Sequence, residues 1–126
     1  MRVTSSGYAK SQIAVAGYRG TDATTPVAAS ASGQDAGGTA HTSPAVTAPP
    51  GSNWLVTYWA DESSATSGWR APALQMVRNT LSDSGSGHMS GLLVDSNANV
   101  SGNVGGLTAT ANSFSSRGVS FSVVLH

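Results

Sequence analysis

Val119-Ser120-Phe121-Ser122-Val123-Val124-Leu125 alternates with a period of two. Val119, Phe121, Val123 and Leu125 fall on one side of an extended chain, and Ser120, Ser122 and His126 fall on the other. That is the pattern of a strand half buried in a sheet, and the apolar row is expected to face the core. Just ahead of it Leu107, Ala109 and Ala111 alternate with Thr108 and Thr110. Asn112-Ser113-Phe114-Ser115-Ser116 reads as a hairpin connection, so the two strands are expected to be neighbours.

The same period recurs upstream. Gln12 to Tyr18 is apolar on both sides and reads as a central strand, with Ile13 and Val15 in the core. In Asn53 to Ala60, Trp54, Val56, Tyr58 and Ala60 share one face, the expected core face, and Leu55, Thr57 and Trp59 share the other. Weaker strands are expected near residues 27–32, 43–48, 74–80 and 88–94, although Ala71 to Asn79 could also form a helical turn. About eight short antiparallel strands separated by turn residues describe an all-β sandwich or barrel. The prolines at 26, 44, 49, 50 and 72 suit strand starts, edges and loops. No internal repeat of fixed period appears. Residues 30–51, rich in Gly, Ser, Thr and Pro, read as a loose loop region too short to separate two cores, so residues 1–126 are expected to form one domain.

Charged residues make up 10% of the 126, against roughly 25% in an average soluble domain, and six basic groups balance six acidic ones. Arg2, Lys10, Arg19, Arg70, Arg78 and Arg117 are scattered, which argues against a nucleic-acid surface. The apolar fraction of 39% and three tryptophans argue for a folded chain. Cysteine is absent, which removes disulfides and thiolate metal sites. No stretch has the length of a membrane span, and no signal peptide is visible at the start of the sequence.

Catalysis would need a positioned base and nucleophile. His41, His88 and His126 are available, but Gly87-His88-Met89-Ser90-Gly91 lacks the spacing of a nucleophile elbow. Asp61-Glu62 is the only adjacent acidic pair, and solvated loop acids explain it without chemistry. Asp95-Ser96-Asn97-Ala98-Asn99 places oxygens at alternate positions like the start of a calcium loop, which makes Asp95, Asn97 and Asn99 candidate Ca2+ ligands. Val100 stands where such a loop wants Gly, and a plain Asx turn accounts for the same residues. Asn99-Val100-Ser101 is also a formal glycosylation sequon. Trp59 and Trp69, flanked by Asp61 and Arg70, form a candidate glycan platform if both rings are exposed, while core packing is the rival explanation of the rings.

Gly17-Tyr18-Arg19-Gly20-Thr21-Asp22 with Pro26-Val27, Trp54-Leu55-Val56-Thr57-Tyr58-Trp59-Ala60-Asp61, Trp69 with Ala71-Pro72, Gly105-Gly106-Leu107-Thr108-Ala109-Thr110 and Val123-Val124-Leu125 together resemble a known module. The resemblance is to β-sandwich modules of secreted actinobacterial multidomain proteins, often beside PKD-type domains, with relatives in phage tail proteins. It covers most of the chain but only the C-terminal part of that module, whose members carry further strands ahead of the Tyr18-Arg19-Gly20 motif. Gly17 and Leu74 stand where the resemblance expects Ala and Gly. It implies a jelly-roll-like antiparallel β-sandwich on an extracellular surface or a virion appendage, and it brings no catalytic residues.

The resulting expectation is a non-catalytic structural or assembly module of an extracellular surface, filament or virion appendage. Its partner is expected to be itself, as a homo-oligomer or repeating assembly that covers an open edge or face. A carbohydrate-binding module is the alternative and a hydrolase the remote one. Nucleic-acid binding and membrane insertion are not expected.

Overall fold

The computed structural model describes Thr4, Ser6, Gly7, residues 10–83 and residues 88–126. Ten strands and no helix occur among them. They are β1 (Val27–Asp35), β2 (Gly38–Thr42), β3 (Ala45–Ala48), β4 (Trp54–Asp61), β5 (Trp69–Arg70), β6 (Met76–Ser82), β7 (Ser90–Asp95), β8 (Gly102–Gly105), β9 (Thr108–Ser115) and β10 (Gly118–Leu125). All pairings are antiparallel. One sheet has the order β1-β10-β4-β7-β6. The facing layer combines β2-β9-β5 with β3-β8.

That second layer is one long ribbon broken once. β2 and β3 are interrupted at Ser43-Pro44, and β8 and β9 at Gly106-Leu107. Proline cannot donate to the ladder, and the glycine sits at φ 63°, a conformation that other residues adopt at a cost. The ribbon is stitched across the break by Ser43 N donating to Leu107 O at 2.8 Å and Leu107 N donating to Ser43 Oγ at 3.1 Å. With the two breaks bridged the ten strands reduce to eight, nested as β1 on β10, β2–β3 on β8–β9, and β4 on β7. This nesting is the wrapping of a jelly roll. The innermost strands part company, β5 pairing on β9 and β6 on β7.

Two clusters of buried residues span the layers. Val46 and Ala48 meet Leu55 and Val124, while Ala109 meets Trp59, Leu92 and Val94. β4 and β10 therefore bury the faces opposite to those expected, whereas β9 turns Ala109 and Ala111 inward as its alternation implied. On β4 the inward residues are Leu55, Thr57, Trp59 and Asp61, and on β10 they are Gly118, Ser120, Ser122 and Val124. Trp54, Val56, Tyr58, Val119, Phe121, Val123 and Leu125 line the outer side.

Closeness at the ribbon's break explains the inversion. Ser122 Oγ donates to Pro44 O at 2.7 Å and Ser120 Oγ to Thr42 O at 3.4 Å. On the Pro44 carbonyl the Ser122 hydroxyl joins the Gly106 N–H, 3.4 Å away. A Cβ added at Gly105 would lie 2.4 Å from Pro44 O and 3.1 Å from Ser122 Oγ, so bulky side chains do not fit there.

Further expectations are met or corrected elsewhere in the chain. Residues 12–18 are not a strand, and Ile13 and Val15 are 54% and 70% exposed. β9 and β10 lie in different sheets, so the turn at Ser116-Arg117 passes between layers rather than closing a hairpin. Within residues 30–51, read as loose, β1 and β3 match the weak strands expected near 27–32 and 43–48, and β2 (Gly38–Thr42) is the strand that was not expected. Their Ala, Ser, Thr and Gly side chains suit tightly spaced layers. No helical turn forms at residues 71–79, where β6 begins at Met76.

Candidate interface on the outer face of the five-stranded sheet

The outer face carries the large apolar side chains of β10 and β4. Register sets Phe121 opposite Tyr58, Val123 opposite Val56 and Leu125 opposite Trp54, and Leu93 of β7 continues the row from Tyr58. The Tyr58 and Phe121 rings stack with centroids 6.5 Å apart and planes at 27°. Phe121 is 44% exposed, and Val27 at the start of β1 is 49% exposed. Met76 and Val77 on the edge strand β6 are 44% and 47% exposed.

Residues 10–21 form an arm that crosses this face, held by side chains. Lys10 pairs with Glu62. Gln12 Oε1 accepts from the Tyr58 hydroxyl at 2.9 Å, and its Nε2 donates to Met89 O at 3.2 Å. The Tyr18 hydroxyl donates to Asp95 at 3.0 Å. No backbone–backbone hydrogen bond joins residues 10–21 to the sheet among the described residues; the first is Asp22 N to His126 O at 3.3 Å. Ile13 and Val15 remain largely exposed, and a cleft of about 320 Å³, lined in part by Ile13, opens between residues 12–14 and the row of Val56, Leu93, Phe121 and Val123.

The arm can lie so close because Gly91 of β7 has no side chain. A Cβ there would meet Gln12 Oε1 at 2.5 Å, the Tyr58 hydroxyl at 2.6 Å and the Trp59 carbonyl at 3.0 Å.

Asp95 is fully buried beneath the arm, and Arg78 Nη2 donates to it at 3.0 Å while Arg78 Nε binds its other oxygen. Burial raises its carboxyl, but the Arg78 guanidinium, the nearby Trp54 indole, the Tyr18 hydroxyl and the Asn97 N–H outweigh that and hold it below the usual carboxylate range. Burial, the hydrogen bond to Asp95 and its negative charge push the Tyr18 phenol up to about 12. Burial raises Tyr58 as well.

This pairing gives the residues singled out for calcium other partners. Asp95 is spent on Arg78, Tyr18 and the Asn97 N–H, Asn97 Oδ1 accepts from Arg78 at 3.0 Å, and Asn99 Oδ1 accepts from Asn53 N at 2.6 Å. The bond from Asn97 N to Asp95 at 3.0 Å is an Asx turn. No group of three or more His, Cys, Asp or Glu side chains able to hold a metal occurs among the described residues.

The expected glycan platform is not assembled either. Trp59 is completely buried between the layers. Trp69 faces inward, half-buried, with Nε1 donating to Ser90 Oγ at 2.9 Å and its ring 5.3 Å from that of His41. Asp61 is 1% exposed and accepts from Ser90 and Thr66. Arg70 lies on the outer side of the second layer, opposite Thr110.

The histidines are equally dispersed. His41 is 1% exposed, its Nδ1 2.8 Å from Asp35, and both pack against Gly118. His88 Nε2 lies 3.4 Å from Thr66 O, and Gly87 lies outside the described residues. Sequence reading missed the arm anchors Gln12 and Tyr18 and the Asp95–Arg78 pair. The one available signal was a lone Arg in a strand otherwise poor in charge.

These features define a jelly-roll sandwich with an apolar, strapped outer sheet. No family model, curated protein or solved structure matches the chain.

Proposed function

We propose that this chain is a non-catalytic structural module that assembles with copies of itself through the outer face of its five-stranded sheet. The observation that carries the reading is the outward placement of Val27, Phe121, Ile13 and Val15, each near half exposed or more, while Thr57, Ser120 and Ser122 are buried on the opposite faces of β4 and β10. Apolar surface gathered on one face marks an interface in a folded protein. Little charge guards the face: Lys10 is the chain's only lysine, and Glu62 neutralises it. The setting that goes with such a module is an extracellular surface, a filament or a virion appendage, as the sequence resemblance implies.

The deciding experiment is light scattering on the size-exclusion peak at micromolar concentration, run on the parent and on Phe121→Asp and Ile13→Asp. The expected result is an oligomeric parent and monomeric variants that still unfold in one cooperative transition. A stable monomeric parent overturns the reading.

A further inference from the structure

A second cleft, of about 320 Å³, opens where the root of the arm meets the start of β4 and the end of β10. Its walls include the rings of Tyr18 and Trp54 and the side chain of Leu125; its polar groups include Arg19, Asn99, Asn53 and His126. The volume falls in the lower range of small-ligand sites, and such a mix of apolar wall and few polar groups is their usual construction.

The walls are fixed. The Tyr18 hydroxyl is tied to Asp95, and Trp54 is held in the β4–β10 register opposite Leu125. Asn99 spends its Oδ1 on Asn53 N, which leaves its Nδ2 as a donor. Asn53 is 3% exposed; its Nδ2 is turned to Pro49 O, Gly51 O and Val100 O, and its Oδ1 has no partner.

The cations near the cleft differ in what they face. Arg78, behind the Tyr18 wall, is spent on Asp95 and Asn97. His126 faces Asp22, whose carboxyl the Thr25 and Thr24 amides hold low with help from that histidine. Arg19 forms no hydrogen bond or ion pair with any described residue, and it is the cation left to meet an incoming anion. A guanidinium presents a planar fork of donors suited to a carboxylate, and aromatic walls suit the CH faces of a sugar ring.

We propose that this cleft binds a small acidic saccharide, its carboxylate on Arg19 and its ring against Trp54 and Tyr18. The cleft lies at the Trp54–Leu125 end of the same outer face, and saccharide binding does not depend on self-assembly. The Asn99 amide supplies a further donor to a sugar oxygen.

The test is calorimetric titration of the full chain with glucuronate, with glucose and acetate at the same concentrations as comparisons. Saturable binding is expected for glucuronate alone. Arg19→Gln, a change at an exposed side chain, should weaken it about tenfold or more, and Trp54→Phe should weaken it less. Glucose binding equal to glucuronate, acetate binding equal to glucuronate, unchanged affinity in Arg19→Gln, or no saturable glucuronate binding by the parent each overturn the proposal.

Discussion

The Tyr18 hydroxyl donates to the Asp95 carboxylate at 3.0 Å and ties the segment ahead of β1 to a fully buried acid on the outer side of β7. The two groups answer pH in opposite senses. Tyr18 is raised to about 12 by burial and by Asp95, so its contribution is complete below the ordinary tyrosine value of about 10 and is lost as pH rises through about 12. Asp95 is held low, so its contribution is present above the ordinary aspartate value of about 3.9 and is lost as pH falls through the folded value. Phenolate absorbance during alkaline titration should show a late-ionising tyrosine that disappears in Tyr18→Phe. If that variant instead loses a tyrosine titrating near 10, the anchor is not formed.

Interior and exterior aromatics should differ in cost. Trp59→Ala removes a fully buried ring and should lower stability by about 3–5 kcal/mol. Phe121→Ala removes a ring that is 44% exposed and should cost about 1 kcal/mol. Urea unfolding of the two variants under conditions that keep the chain dispersed compares them directly. Equal midpoints would mean that the burial assigned to β4 and β10 is reversed.

Gly91→Ala should loosen the arm, because the added methyl collides with the Gln12–Tyr58 bond and with the fixed carbonyl of Trp59. Faster tryptic cleavage after Lys10 and Arg19 is expected, and Gln12→Ala should reproduce it without straining β7. Cleavage at the parent's rate in both variants would show that Gln12 does not hold the arm.

Much of the architecture was legible because alternation depends on each strand's own residues. β1, β3, β4, β6, β7, β9 and β10 all fall close to segments read as extended. Which side of a strand faces inward depends on how near the opposite layer comes, and that is set at Pro44 and Gly105, far away in sequence. Residues 12–18 alternate as a strand does, but pairing needs a neighbour's free edge, and here the arm lies on a face instead. The candidate sites failed for the same reason. Asp95, Asn97 and Asn99 spell out a cation loop locally, and Arg78 answers them from the adjacent strand. Leu74 adopts φ 63°, a backbone that glycine takes at no cost, and is 94% exposed; no local pattern around it announces that turn.

The hydroxyl stitching at the ribbon's break also governs which positions can drift. Ser120 and Ser122 sit where an extra carbon has nowhere to go, while Val119, Phe121 and Val123 have open space on their outer side. Under selection for folding alone, the small polar residues of β10 would be the invariant ones and its hydrophobic residues the variable ones. A substitution matrix that rewards constancy of large apolar side chains would then weight this strand backwards, and distant versions of the domain would share their serines rather than their valines.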